Sequence, residues 1–300
     1  MPRTSRGALT LAEEQPRGRA ARVLAGVVGV LVVGVLGVAG YQGFQRVVHT
    51  LSSQRCQVSA GGATYTWAPD QSSNAAAITA IAVKRGLPPR AASIALATAM
   101  QESKVRNVRF GDRDSLGLFQ QRPSQGWGTA EQILDPEYST NTFYDALVEV
   151  DGYTEMDIAE AAQEVQRSAA GSAYAQHEGQ ARATASVLSG QTSAGIGCAL
   201  RDPEAPGDAE DLAALLRKDF GLAGEVDGAT VTVRSDGDLP WAVASWAVAR
   251  ATDTGAVRVT LDRYRWERSM ADTSLTFTRL DADDSGAGDP GHVVIDLATS

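Results

Sequence analysis

The sequence predicts a mainly α unit followed by a small α+β unit, the two preceded by one transmembrane helix. Three observations carry this expectation. Val23 to Tyr41 runs for 19 residues without a charged or amide side chain, enough at 1.5 Å per residue to cross most of a hydrocarbon core. Between Cys56 and Cys198 apolar residues recur at helical spacing, and after Asp202-Pro203-Glu204-Ala205-Pro206-Gly207 short alternating runs replace them. The chain divides accordingly into a basic tail (1–22), a transmembrane helix (23–44), a linker (45–56), the helical domain (57–200), a second linker (201–208) and the α+β domain (209–300).

Each element has a local reason. Arg17, Arg19 and Arg22 precede the apolar span and an acidic remainder follows, which puts the N-terminus in the cytoplasm and the bulk of the chain outside. A cleavable signal peptide is the alternative, since Val38-Ala39-Gly40 is loosely like a cleavage site, but the run exceeds the usual apolar core of such peptides. Outside the membrane, two lone cysteines in an oxidising compartment favour a Cys56–Cys198 disulfide. Ser73 or Asn74 caps a helix through Ile78, Ile81 and Val83, and Pro88-Pro89 opens a second from Arg90 to about Ser103. Thr129 with Gln132 forms a capping-box pattern, Phe143, Tyr144, Leu147 and Val148 share a helical face, and Thr154 caps a helix bearing Ile158 and Val165. A last helix is expected from Ser172 to Leu188, whereas Phe110 to Gly128 reads as loop and short strands. In the C-terminal part, helices are expected at Ala209–Phe220 and Trp241–Ala251, with strands at 229–233, 257–261, 275–277 and 293–297.

Composition narrows the function. With 300 residues, 43% apolar and 21% charged, the chain has the make-up of folded protein. Its net charge of −9 argues against a nucleic-acid partner, because phosphate backbones are held by surplus Lys and Arg. Three histidines and two cysteines without a cluster give no metal site, and no cofactor is expected. Three lysines against 24 arginines suit a GC-rich bacterial genome.

One carboxylate stands out. The segment Ala91 to Glu102 is apolar around nearly its whole circumference, so its helix should be buried. Glu102 falls in the last turn, where both the helix dipole and desolvation disfavour a charged carboxyl. A carboxylic acid that stays protonated near neutral pH is what a glycosidase needs to protonate a leaving oxygen; the plainer alternative is a solvated Glu beside Lys104.

Ala99-Met100-Gln101-Glu102-Ser103, followed by Ser115-Leu116-Gly117-Leu118-Phe119-Gln120-Gln121, resembles the Glu-Ser and Gly-Leu-Met-Gln motifs of lytic transglycosylases and goose-type lysozymes. Asp135-Pro136-Glu137 with Asn141 looks like the start of that family's next helix, and the resemblance spans residues 70 to 190. It implies a lysozyme-like fold for the helical domain, with Glu102 as catalytic acid/base and the Gly117–Gln120 segment lining a saccharide cleft. The family's Tyr-Asn-Ala-Gly motif is absent; the matching region reads Ala161-Ala162-Gln163-Glu164-Val165-Gln166-Arg167-Ser168.

The expected substrate-binding residues are Ser115, Gln120, Gln121, Trp127, Gln166 and Tyr174, with Trp127 and Tyr174 among the aromatics able to stack on sugars. Asp112 and Asp114 are candidates for a second carboxylate or, in the plainer reading, parts of a turn. Asp281-Ala282-Asp283-Asp284-Ser285-Gly286 matches the opening of a calcium loop, but His292 stands where the bidentate Glu belongs, so an acidic surface loop is expected. The sequence thus leads to two alternatives: a bacterial membrane-anchored enzyme cleaving peptidoglycan glycan strands, or a wall-binding protein that has lost turnover. The partner of the C-terminal domain is unspecified.

Overall fold

Two consecutive glycines set the first hairpin. Gly61 and Gly62 both take positive φ (60° and 79°), the geometry of a tight turn that matches strand twist. They join β1 (Arg55–Ala60) to β2 (Ala63–Trp67), and β3 (Ile196–Ala199) adds to the other edge, all antiparallel in the order β2-β1-β3. Cys56 and Cys198 lie directly opposite in the β1–β3 register, are disulfide-bonded, and are fully buried. Closing a loop across a separation of 142 residues is worth about 4–5 kcal/mol in the chain-entropy picture.

The computed structural model describes residues 53–166, 171–281 and 288–299. Between the hairpin and β3 come α1 (Pro69–Lys84), α2 (Pro89–Ser103), α3 (Ala130–Ile133), α4 (Pro136–Val148), α5 (Ile158–Gln166), a 3₁₀ turn over Gly171–His177, and α6 (Glu178–Leu188). Helix α1 starts ahead of the expected Ser73 or Asn74 because Pro69 occupies its first turn and the Gln71 side chain accepts the Ala68 N–H at 3.0 Å. The expected capping box of Thr129 and Gln132 forms at α3, and Asp135 caps α4 by accepting from Glu137 N.

Beyond β3, α7 (Ala209–Phe220), β4 (Glu225–Asp227), β5 (Thr230–Arg234), α8 (Leu239–Ala249), α9 (Ala251–Thr254), β6 (Ala256–Leu261), β7 (Tyr264–Glu267), β8 (Thr278–Arg279) and β9 (His292–Leu297) complete the fold. Six of these form an antiparallel sheet in the order β4-β5-β9-β6-β7-β8. Helix α8, Leu-Pro-Trp-Ala-Val-Ala-Ser-Trp-Ala-Val-Ala, is apolar all round and therefore buried. It packs against α1, α6, β3, β6 and β9. One apolar cluster runs from Ile78, Leu96 and Phe143 through Trp246 to Val231 and Val293. Lys218 of α7 adds ion pairs to Asp135 (3.6 Å) and Glu137 (3.5 Å). Residues Gln54–Ser300 form one compact unit, so the 201–208 segment connects parts of a shared core.

The expected mainly α fold with a transmembrane helix is corrected here. The described residues are about 46% helical and 20% strand, with two antiparallel sheets. Among them no helix is long and apolar enough to cross a membrane, and residues 23–44 lie outside the described residues. The mainly α expectation missed the N-terminal sheet because its strands are short and the third lies far from the other two in sequence, and only the Cys56/Val58 alternation and the Gly61-Gly62 turn mark the hairpin.

Candidate active site

The last turn of α2 positions the candidate acid. Ala91, Ile94, Ala95 and Leu96 bury the helix, leaving its C-terminal turn half-buried at Glu102. The chain then turns sharply: Lys104 and Val105 both have φ 56°. A β-branched residue in that region is strained by about 1–3 kcal/mol. Full burial of Val105 and a hydrogen bond from its N–H to Ala99 O (2.9 Å) hold it there.

Ser103 and Gln166 fasten the neighbouring loop to this turn. Ser103 Oγ donates to Leu118 O at 2.7 Å, and Gln166 Nε2 donates to Phe119 O at 2.6 Å. Phe119 itself is core, stacked on Phe143 with centroids 4.5 Å apart. Gly117 is required in this segment: its φ is +76°, and a Cβ would approach Ile133 O to 2.7 Å. In place of the short strands expected within 110–128 the segment forms isolated bridges, from Gly117 to Val108 and from Leu116 to Gln121. The Glu-Ser and Gly-Leu-Phe-Gln segments are therefore adjacent, joined through the serine hydroxyl.

Glu102 accepts a 2.6 Å hydrogen bond from Tyr174 Oη and a further one from the Gln166 side chain. Burial raises its pKa above the ordinary 4.5, and the two hydrogen bonds pull the other way. Among the described residues no cation pairs with it. The resulting carboxyl can hold a proton, deliver it along a hydrogen-bond direction and take one back, which is general acid/base chemistry. A cleft of about 930 Å³ is lined by Trp127, Val150, Met156, Glu164 and Gln166; Glu102 is not part of its wall, and Gln166 is the residue that links the two.

The remaining expected residues separate into two groups. Trp127 and Gln166 share the cleft wall, and of the two Gln166 also reaches Glu102. Gln120 stands at φ 51°, with its amide over Phe110 O and Gly117 O at 3.4 Å each. Ser115 is buried and Gln121 is only 1% exposed, its amide donating to Ser139 O at 3.1 Å, so both brace the loop. Tyr174 is 1% exposed and addresses Glu102 rather than solvent. The helix expected over 172–188 begins instead as the 3₁₀ turn, which is what carries Tyr174 to the acid. Asp114 is consumed by the loop: it accepts from Arg122 Nε (2.8 Å), Ser124 N (2.8 Å) and Ser124 Oγ (3.0 Å), and these bonds hold its pKa far below the ordinary carboxylate range. Asp112 is exposed, 3.9 Å from Arg113. Asn141 holds Arg85 through its carbonyl and side-chain oxygens. Most of the calcium-like motif lies outside the described residues, and among those described no group of His, Cys, Asp and Glu is arranged to hold a metal.

The donor that Tyr174 offers Glu102 has no signal in the sequence, since the two lie 72 residues apart and no local pattern links them. No family model and no curated protein sequence matches the chain.

Proposed function

We propose that this protein cleaves the glycan strands of peptidoglycan, with Glu102 as general acid and then base. The observation that carries the reading is a half-buried carboxyl, without a cation partner among the described residues, held by Tyr174 and by Gln166, which itself lines a cleft that also presents Trp127. Glu102 donates its proton to the glycosidic oxygen as the bond from that oxygen to C1 of the muramic residue breaks. The carboxylate then accepts a proton from the nucleophile that attacks C1. The commitment of Asp114 to Arg122 and Ser124 favours the muramic 6-hydroxyl as that nucleophile, giving an anhydro product without a second carboxylate. The Cys56–Cys198 disulfide supports an extracytoplasmic place of action in a bacterium.

The test is Glu102→Gln in the full chain, assayed for muropeptide release from purified wall. Release should fall by about 10²–10⁴-fold while sedimentation with insoluble wall persists. A wild-type protein that sediments with wall yet releases nothing identifies the binding-only alternative. That alternative is favoured by one observation: the Gln166 amide, in the region that departs from the family motif, is spent on Phe119 O and Glu102.

A further inference from the structure

Glu102 has a neighbour whose surroundings the proposed chemistry does not use. On a helix, successive residues point about 100° apart, and Gln101 accordingly faces a separate pocket of about 490 Å³ whose walls include Trp67, Met100, Gln101, Lys104, Gln176 and His177. Gln101 Oε1 is the hub: it accepts from Gln176 Nε2 and contacts His177 Nε2, each at 3.2 Å.

This hub fixes what is left over. Because Gln101 Oε1 can only accept, His177 carries its hydrogen on Nε2 and presents the Nδ1 lone pair. Burial pushes the His177 pKa below its ordinary 6.5, which keeps the ring neutral at pH 7. Within this hub, the side-chain groups left without a partner among the described residues are the Gln101 NH₂ as donor, and Gln176 Oε1 and His177 Nδ1 as acceptors. A donor beside acceptors complements the C=O and N–H of a peptide group. The exposed Lys104 ammonium has no ion pair among the described residues, and Trp67 and Met100 give the pocket apolar surface. A carboxylate-bearing peptide satisfies all three features; a neutral sugar leaves Lys104 unused, and a phosphate leaves the apolar surface unused.

We propose that this pocket binds a short acidic peptide, with Gln101, Gln176 and His177 reading its backbone and Lys104 its carboxylate. The pocket stands without the hydrolytic reading. Only the next step rests on it: that the peptide is a substituent of a glycan whose backbone lies at Glu102. The 3₁₀ turn supplies both Tyr174 to the acid and Gln176 and His177 to the pocket, so the two sites share a wall.

The experiment is calorimetric titration of the full chain in detergent with three probes: the tetrapeptide Ala-Glu-Lys-Ala with a free C-terminus, its C-terminally amidated Ala-Gln-Lys-Ala counterpart, and chitotriose. The acidic peptide should bind saturably with Kd below about 1 mM, and the amidated one about tenfold more weakly. Lys104→Ala, at an exposed position that cannot threaten folding, should weaken the acidic peptide about tenfold, as should Gln101→Leu. Glu102→Gln should leave peptide binding within about twofold even though it removes turnover, which separates failure of this proposal from failure of the enzymatic one. Equal binding of both peptides, indifference to Lys104→Ala, or a response to chitotriose alone would overturn it.

Discussion

Two regions of the molecule bury a carboxylate in opposite ways. In the C-terminal half, Asp219 of α7 is only 4% exposed and is clamped by Arg250 Nη1 at 2.5 Å and Trp246 Nε1 at 2.7 Å. At the end of α2, the donors that Glu102 receives among the described residues, Tyr174 and Gln166, are neutral. A buried ion with a counter-ion is a structural fixture, because taking either charge away strands the other. A carboxyl desolvated without a cation keeps its proton to higher pH and stays available for transfer.

The largest expected effect breaks the structural member of this pair. Asp219→Ala leaves the Trp246 N–H buried without its acceptor and the Arg250 guanidinium, whose Nε already lacks a partner, with only a 4.0 Å ion pair to Asp253. Unfolding free energy from urea melts should fall by about 3–5 kcal/mol. Glu102→Gln strands nothing, so its melt at pH 7 should move little, and its slope with pH gives a second check. The folded state raises the Glu102 pKa above 4.5, so between that value and the folded one it holds a proton that the unfolded chain has released. Wild-type stability relative to the Gln variant should therefore decline as pH climbs through that window. Equal losses for the two variants would erase the distinction between the regions.

A smaller effect sharpens the other member. The Tyr174 hydroxyl stabilises the ionised form of Glu102 and so opposes the upward shift that burial imposes. Tyr174→Phe keeps the ring and removes that donor, and the Glu102 pKa should rise further. Because the acid must be protonated to act, the alkaline limb of the kcat/KM profile for wall cleavage should move to higher pH in the variant. An unmoved limb, or one displaced to lower pH, would mean that this hydrogen bond does not govern the carboxyl.

The same contrast explains what could be read from residues alone. Glu102 was legible because burial and dipole are local: an apolar run, a helix end and an acid within one segment. The cap at Thr129 and Gln132 and the loop of 110–128 were legible for the same reason. The Cys56–Cys198 disulfide was expected, but the sheet that pairs and buries the two cysteines was not, because that pairing joins residues 142 apart. The Gly61-Gly62 turn between Val58 and Trp67 was a usable hairpin signal inside a stretch that composition alone left without secondary structure. The Asp219–Arg250–Trp246 clamp and the Tyr174 contact join elements distant in the chain, so no periodicity announces them.

Asp114 supplies the smallest and most discriminating prediction, because it stands beside the proposed site yet is built like Asp219. Arg122 and two Ser124 donors depress its pKa from 3.8, so its stabilising contribution is fully present above that value and is lost only as pH falls through the depressed one. Asp114→Asn should consequently lower the melting temperature modestly at neutral pH, with the difference from wild type shrinking in strong acid. Its effect on wall cleavage should be a loss of a fewfold, through loosening of the loop that Ser103 and Gln166 tie to Glu102. A general base or nucleophile would instead cost about 10²-fold or more on amidation. Muropeptides from the Asn variant should still carry the anhydro end, since the proposed route asks nothing of Asp114. Abolished release with an unchanged melt would reverse the assignment, making Asp114 a reacting carboxylate and the reaction a hydrolysis.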